Sequence, residues 1–367
     1  MAIKSVKVLN VMAFQRLWRK NNGTCRVPDA KAGDSFCEAF QLQFCDGINI
    51  LIGENGVGKT TLLKMIYAAA QWSAPKKDAG KTQRLVQFFS SNLSDTDLLK
   101  NAGGYSYFEV SDGTHKFIYS LSHKSVWDFD DWLGLNISSV FIPTMEMLSH
   151  SQGFLALNQK YKLPFDGTQV DIIVNASLPE TRELPDYMER ILDKISNVID
   201  GTIIVENDIF YLLKKDGRKI DFSLEAEGLR KLGLLWKLIR NGLLEKGTVL
   251  LWDEPEANLN PELFPLIVDI LLELEDSGIQ IFIATHSYNL AKYFELRRKN
   301  DGQVQYHNLY KDSSEVAEEY DLFHDSVSGE EGIFSKSAYF LSELKGNRIV
   351  DADDKLLDEA LKKNLMD

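Results

Sequence analysis

The sequence predicts an α/β fold, a mostly parallel sheet covered by helices. Apolar, β-branched runs alternate with helix-patterned segments, as in Thr248–Trp252, Pro261–Asp276, Ile279–Ala284 and Asn289–Arg298. That is the order in which covering helices join parallel strands. The run Ile48–Ile52, the glycine loop Gly53-Glu54-Asn55-Gly56-Val57-Gly58-Lys59-Thr60 and the helix-patterned segment Thr61–Ala68 also follow one another directly. Strand, phosphate-gripping loop and helix thus fall in the required sequence.

The loop's residue types are what phosphate binding needs. Glycines let the backbone curl until successive N–H groups point inward at phosphate oxygens, and the helix start adds the positive end of its dipole. Lys59 is spaced to reach the β- and γ-phosphates and the Thr60 hydroxyl to ligate Mg²⁺. The nucleotide-binding set is therefore Gly53, Asn55, Gly56, Gly58, Lys59, Thr60 and Thr61, and the cofactors implied are ATP and Mg²⁺.

Bulk properties set the bounds. A chain of 367 residues, 44% hydrophobic and 26% charged, suits a globular protein of one large domain with a subdomain, or two modest domains. No apolar run approaches the ~18 residues of a membrane span, and Met1–Val8 alternates like a strand rather than a secretion signal. A cytoplasmic protein with no membrane contact is expected. Cys25, Cys37 and Cys45 form no Cys-x-x-Cys pair and read as reduced thiols. The net charge of −13 argues against tight non-specific binding of nucleic acid. The short basic clusters Arg16–Lys20 and Arg297–Lys299 read as solvated faces.

Along the chain, strands are expected at Ile3–Met12, Ala39–Phe44 and Ile48–Ile52, with loops at Asn21–Asp34 and Pro75–Gln83. Tyr105–Val110 and His115–Leu121 flank Ser111-Asp112-Gly113-Thr114 as a hairpin. Ser138–Pro143 is a buried strand, and residues 151–202 hold an irregular stretch and one helix, Leu184–Ile199. Ile203–Leu213 and Lys219–Phe222 form a hairpin around Lys215-Asp216-Gly217, and Gly228–Leu244 is an apolar-striped helix. Two strands, Val304–Tyr310 and Glu315–Tyr320, then precede two short terminal helices.

A second site motif is Val249-Leu250-Leu251-Trp252-Asp253-Glu254-Pro255, an apolar strand ending in two carboxylates. Open α/β sheets build their sites at strand C-termini. Asp253 is placed to hold Mg²⁺ beside Thr60. Glu254, on the opposite side of a strand, is placed to polarise an attacking water. Ala284-Thr285-His286-Ser287 ends another apolar strand, where His286 is placed to hydrogen-bond the γ-phosphate.

The ordered set of Gly53–Thr60, Asp253-Glu254-Pro255, Ala257-Asn258-Leu259-Asn260-Pro261 and Thr285-His286 resembles an ABC-type ATPase head. More closely, it is similar to the stand-alone bacterial ATPases related to the RecF, SMC and OLD-family heads. The start, Ile3–Phe14, is similar to that group's first strand, and Gly228-Leu229-Arg230-Lys231-Leu232 resembles its signature helix. The resemblance implies a P-loop NTPase with an ABC-ATPase-like mixed sheet, an N-terminal antiparallel β subdomain and a small helical or irregular insertion. As one domain over 1–367, it would divide into an N-terminal lobe (1–150), an insertion (151–222), the signature helix, acidic strand and histidine switch (223–310), and a helical tail (311–367).

The resemblance also implies a homodimer that sandwiches two ATP molecules. Each nucleotide would be held by one subunit's glycine loop and the other's signature helix, with Gly228 in contact. Asn258 would lie in the interface loop, Glu254 would be the general base and His286 the γ-phosphate sensor. Two departures stand out. Glu225-Ala226-Glu227-Gly228-Leu229 replaces Leu-Ser-Gly-Gly-Gln, leaving Ser223 as a distant substitute. The family's metal-linked glutamine has two candidates, Glu146 and Gln152.

Besides a transporter's ATPase subunit, which the missing Leu-Ser-Gly-Gly-Gln, the strand-rich N-terminal region and the Trp252-Asp253-Glu254-Pro255-Glu256 run tell against, two readings of function follow. One is an ATP-driven switch acting on an effector protein in trans, by analogy with anti-phage and toxin–antitoxin-like systems. The other is a RecF-like, ATP-gated DNA-binding module. The interval between Lys59 and Gly228 leaves room for only a small insertion, and the stretch beyond Arg298 is short for a nuclease. Asp351, Asp353 and Asp354 read as a solvated helix start.

Overall fold

The computed structural model describes residues 2–14, 17–20, 35–74, 85–90, 98, 106–121, 125–129, 132–312, 332–344, 349 and 352. Two sheets make up most of the architecture. Strands β1 (Ser5–Leu9), β4 (Phe40–Gln43), β6 (Tyr107–Ser111), β7 (Lys116–Ser120) and β8 (Ser125–Phe129) form an antiparallel sheet in the order β4-β1-β6-β7-β8. A short ribbon, β2 (Leu17–Lys20) with β3 (Ser35–Glu38), stands apart from it. The central sheet runs β16-β15-β5-β14-β13-β9, from β5 (Ile48–Gly53), β9 (Ser139–Ile142), β13 (Val249–Asp253), β14 (Gln280–Thr285), β15 (Val304–Asp312) and β16 (Gly332–Ala338). All its pairings are parallel except β15 with β16. The mixed sheet and the antiparallel N-terminal subdomain are thus both present.

Alternation within the central strands fills two cores. Ile48, Ile50, Ile52, Leu250, Trp252, Ile281 and Ile283 face one side, while Leu51, Val249, Leu251, Phe282 and Ala284 face the other. Strands buried on both faces read as unbroken apolar runs, which is why they are visible in the sequence. Helix α1 (Lys59–Trp72) and the antiparallel sheet cover one face; α5 (Glu227–Arg240), α6 (Phe264–Asp276) and α7 (Tyr288–Arg297) cover the other.

The insertion is more ordered than the sequence reading anticipates. Residues 151–202 hold three helices rather than one: α2 (Phe154–Tyr161), α3 (Gly167–Ser177) and α4 (Asp186–Ile199). Helix α3 starts on a capping box, in which Asp166 accepts from the Thr168 and Gln169 N–H groups and Gln169 returns to the Asp166 N–H. The expected single hairpin is a three-stranded meander, β10 (Gly201–Glu206), β11 (Ile209–Lys214) and β12 (Lys219–Asp221). Asn207 and Asp208 both take positive φ (49° and 63°), the conformation of a two-residue type I′ turn, and split the predicted first strand in two.

Other expectations shift at their ends. The N-terminal strand stops at Leu9 because Asn10 and Met12 turn left-handed (φ 54° and 51°). Tail residues 332–338, expected to be helical, form β16. Glu315–Tyr320, the loops at 21–34 and 75–83, Arg16, Cys25 and the aspartates at 351, 353 and 354 lie outside the described residues. Cys45 is a free thiol. Among the described residues, no helix is long and apolar enough to cross a membrane.

A buried histidine and a half-buried aspartate give the fold opposing pH dependences. Burial pulls His307 down to about 3, and burial pushes Asp171 up to about 6 despite the Tyr67 hydroxyl at 2.9 Å. Below the ordinary histidine value of 6.5 the unfolded chain takes a proton that folded His307 refuses, so falling pH costs stability. Between 6 and the ordinary carboxylate value of 3.8, folded Asp171 holds a proton that the unfolded chain releases, so falling pH restores stability. Asp171→Asn removes the second effect. The variant is expected to lose stability faster than wild type between pH 6 and 4, by up to about 1.4 kcal/mol per pH unit in urea denaturation. Parallel pH curves would show that Asp171 does not titrate in this window.

Candidate active site

Parallel register brings three chain segments to one edge. Asp253 pairs with Ala284, Ala284 with Leu51 and Thr285 with Ile52. The acidic turn, the His286 turn and the glycine loop therefore all leave the C-terminal end of the sheet side by side. This is where open α/β folds bind ligands.

The loop's conformation depends on its glycines. Gly56 and Gly58 have φ of 80° and 92°. A Cβ on Gly53 would lie 2.2 Å from the Leu309 carbonyl oxygen, and one on Gly58 2.6 Å from the buried Phe14 ring. Gly58 leads into α1, whose first turn has no side-chain cap and no acidic residue, leaving its N–H groups available to an anion. Asn55 and Gly56 are exposed at the tip, and Thr61 is buried with its hydroxyl 3.7 Å from the Met12 sulfur. Lys59 is buried, and its Nζ donates to the carbonyls of Gly53 (2.6 Å) and Glu54 (2.9 Å). Burial lowers its pKa, while Glu254, Asp253, Glu256 and Glu54 oppose that shift.

Asp253 is buried at the end of β13 and accepts two hydroxyls. Thr60 Oγ1 lies 3.0 Å from both carboxylate oxygens and Thr144 Oγ1 lies 2.9 Å from Oδ2. Burial pushes its pKa above the ordinary carboxylate value, against the two hydroxyl bonds. A carboxylate flanked by two hydroxyl oxygens is a donor set for a hard divalent cation, so these residues fit Mg²⁺.

Glu254 is oriented differently from the sequence expectation. It lies beyond the strand with left-handed backbone (φ 49°), so backbone geometry rather than strand alternation turns it away from Asp253. Its N–H donates to the Ala284 carbonyl (2.9 Å) and its carbonyl accepts from Lys231 Nζ (3.1 Å). The Glu254 carboxylate lies 3.2 Å from His286 Nδ1.

The expected signature region begins at a tightly packed glycine. Gly228 is buried, and a Cβ there would lie 2.8 Å from the Asn258 carbonyl oxygen. Its smallness thus lets α5 pack on the loop at Asn258, itself exposed and left-handed (φ 59°). Ser223 donates to Asp221 (2.7 Å) inside a 3-10 turn. Of the two candidates for the metal-linked position, Glu146 is committed to Arg230 (3.0 Å) and to the N–H groups of Leu148 and Ser149, and Gln152 is exposed. Thr144 reaches Asp253 instead.

Sequence reasoning assigned no role to Thr144, Lys231 or Glu256. Lys231 is almost fully buried on α5, and burial lowers its pKa against Glu227 and the three carboxylates of the acidic turn. Its position after Gly228 in an apolar stripe was the available signal. Lys311 on β15 also lies beside the loop, its Nζ 3.9 Å from where a Gly56 Cβ would stand.

A glycine loop, an acidic strand and a histidine turn along one sheet edge define a P-loop ATP-binding protein. The chain belongs to the family described as "AAA domain, putative AbiEii toxin, Type IV TA system", whose model matches residues 48–292. It is 46% identical over 54 residues to the arginine transport ATP-binding protein ArtP of Haemophilus influenzae, a match covering 15% of this chain and 22% of that protein. It is 29% identical over 114 residues to the L-cystine import ATP-binding protein TcyN of Bacillus subtilis, covering 27% and 41%. The matches thus span less than half the length of these curated relatives. Among solved structures, the SMC head domain from Thermotoga maritima overlays with a TM-score of 0.44 at 17% identity, covering 92% of this chain and 99% of that one. An SMC head bound to the C-terminal winged-helix domain of ScpA gives 0.48 at 12%, covering 92% and 98%.

Asp253→Asn is expected to preserve the fold but weaken the Mg²⁺-dependent part of ATP binding by about tenfold or more. Titration calorimetry with and without Mg²⁺ reads it. Unchanged Mg²⁺ dependence would remove Asp253 from the metal set.

Proposed function

We propose that this chain is an ATP-hydrolysing switch that closes as a homodimer around two ATP molecules and passes that change to an effector protein. The observation that carries the reading is the division of labour between two adjacent carboxylates. Asp253 is engaged with the Thr60 and Thr144 hydroxyls, while Glu254 is turned out of that cluster toward His286. Thr60 and Asp253 would hold Mg²⁺, which supplies neutralisation of phosphate charge when bound. The glycine-loop N–H groups and Lys59 would cradle the phosphates. Glu254 would take the proton from the attacking water, and His286 would hydrogen-bond the γ-phosphate.

Dimerisation is supported by what surrounds the α5 N-terminus. Ser223, Leu224 and Ala226 are exposed there, Leu224 at 79%, beside the exposed Asn258 and Asn260. A helix start in such a surface presents N–H groups to a second protomer's nucleotide. The family's description, which names a putative toxin of a type IV toxin–antitoxin system, supports a toxin–antitoxin-like setting. The DNA-module reading receives less support, because Arg297, Arg298 and Lys299 are paired with Asp269, Asp301 and Asp276.

Glu254→Gln is expected to elute from a sizing column as a dimer only with MgATP, and to release no phosphate, whereas wild type turns ATP over. A monomeric Glu254→Gln that hydrolyses at the wild-type rate would overturn the mechanism. ATP-dependent, salt-sensitive DNA binding by the trapped form would favour the DNA module instead. Gly228→Ala drives a Cβ against Asn258. Introduced into the Glu254→Gln chain, it is expected to abolish the ATP-trapped dimer with ATP binding intact; a dimer of wild-type stability would separate Gly228 from closure.

A further inference from the structure

We propose that Glu256 is a positioning residue for hydrolysis: it anchors the end of β14 so that the His286 imidazole keeps its place beside Glu254. The proposal rests on the switch reading above. Glu256 follows Pro255 in the acidic turn, and its side chain is only 6% exposed. One oxygen, Oε1, accepts the Thr285 hydroxyl at 2.5 Å and the His286 N–H at 3.1 Å. The same oxygen lies 3.6 Å from His286 Nδ1, which is 3.2 Å from Glu254. The other oxygen, Oε2, is buried and has no hydrogen-bond partner among the described residues.

The cost of this arrangement indicates its purpose. A buried carboxylate with an unpartnered oxygen is expensive, and an apolar side chain of similar volume serves packing better. The bonds Glu256 makes are to the two residues that set the His286 backbone. The Thr285 hydroxyl also accepts the Ser287 N–H at 2.9 Å, and Ser287 caps α7 through the Leu290 N–H at 3.2 Å. The histidine turn is therefore held on both sides, by Glu256 from the acidic turn and by Ser287 from α7. A group held at its backbone stays within hydrogen-bond reach of a reacting atom, and small misplacements are costly in rate. Among the described residues Glu256 makes no hydrogen bond to the loop or to the Thr60–Asp253 pair, and its charge acts on Lys59 only through space and less than Glu254 and Asp253 do, so nucleotide binding should change little without it.

The test is steady-state ATP hydrolysis by the full chain, with ATP binding measured separately. Glu256→Ala is expected to lower kcat about tenfold or more with KM within about twofold of wild type. Glu256→Gln keeps an acceptor oxygen and is expected to restore most of kcat. In a His286→Ala chain, Glu256→Ala should cost little further, because it acts through that histidine. A folded Glu256→Ala with wild-type kcat would overturn the proposal, as would an equal loss with and without His286. If Glu256→Ala does not fold, Thr285→Val, which removes only the bridging hydroxyl, must lower kcat; wild-type kcat there overturns it. These outcomes are separate from failure of the switch reading, which would show as wild type without ATP turnover or Glu254→Gln without a trapped dimer.

Discussion

The Asp253 carboxylate links otherwise remote parts of the chain. It sits at the end of β13, binds Thr60 in the first turn of α1, and binds Thr144 just beyond β9. Burial makes its charge costly, so the hydroxyls do more than fill space: they are the partners that let a carboxylate remain there. The acidic strand and the edge strand are already joined by their parallel ladder, and the two hydroxyls add the polar link that ties the first turn of α1 to that pair. A carboxylate held this way has the geometry for a cation, and its raised pKa is the cost that a cation would offset.

Parallel pairing turns that local contact into a site. Register between β5, β14 and β13 fixes the heights at which the glycine loop, the histidine turn and the acidic turn leave the sheet. Alternation of buried residues fixes the sheet between its two covering layers, α1 with the antiparallel sheet on one face and α5, α6 and α7 on the other. The insertion is tied to the same frame: Lys64 of α1 meets Asp166, the cap of α3, at 2.7 Å, and Tyr67 meets Asp171. A rearrangement of the insertion is thereby mechanically linked to the helix that starts at Lys59.

Strands buried on both faces were legible because their apolar runs are continuous, and the glycine loop because its residue types and spacing are narrowly constrained. Helices α2 and α3 were missed because Gly153, Pro164 and Gly167 punctuate the segment, although the Asp166–Gln169 capping box was there to be read. Thr144 was invisible for a different reason: its partner Asp253 is 109 residues away, and a lone threonine after a strand carries no local signature. Glu256 looked like one more acid in an acidic turn. Only burial and its bonds to Thr285 and His286 distinguish it.

Glu254 shows why strand alternation alone is an insufficient argument at such an edge. A left-handed backbone costs a non-glycine residue about 1–2 kcal/mol, and the following Pro255 favours extended backbone at Glu254 instead. The conformation persists because it is held at both ends, by the N–H bond to Ala284 and by Lys231 on the carbonyl. Its consequence is chemical. Were β13 to continue regularly, Glu254 would point to the opposite face of the sheet, away from the edge where the phosphates would lie. The left-handed turn returns its carboxylate to that edge beside His286, yet keeps it out of the hydroxyl cluster around Asp253. Two neighbouring acids thus face one edge with different partners, and Lys231 ties α5 to the turn that separates them.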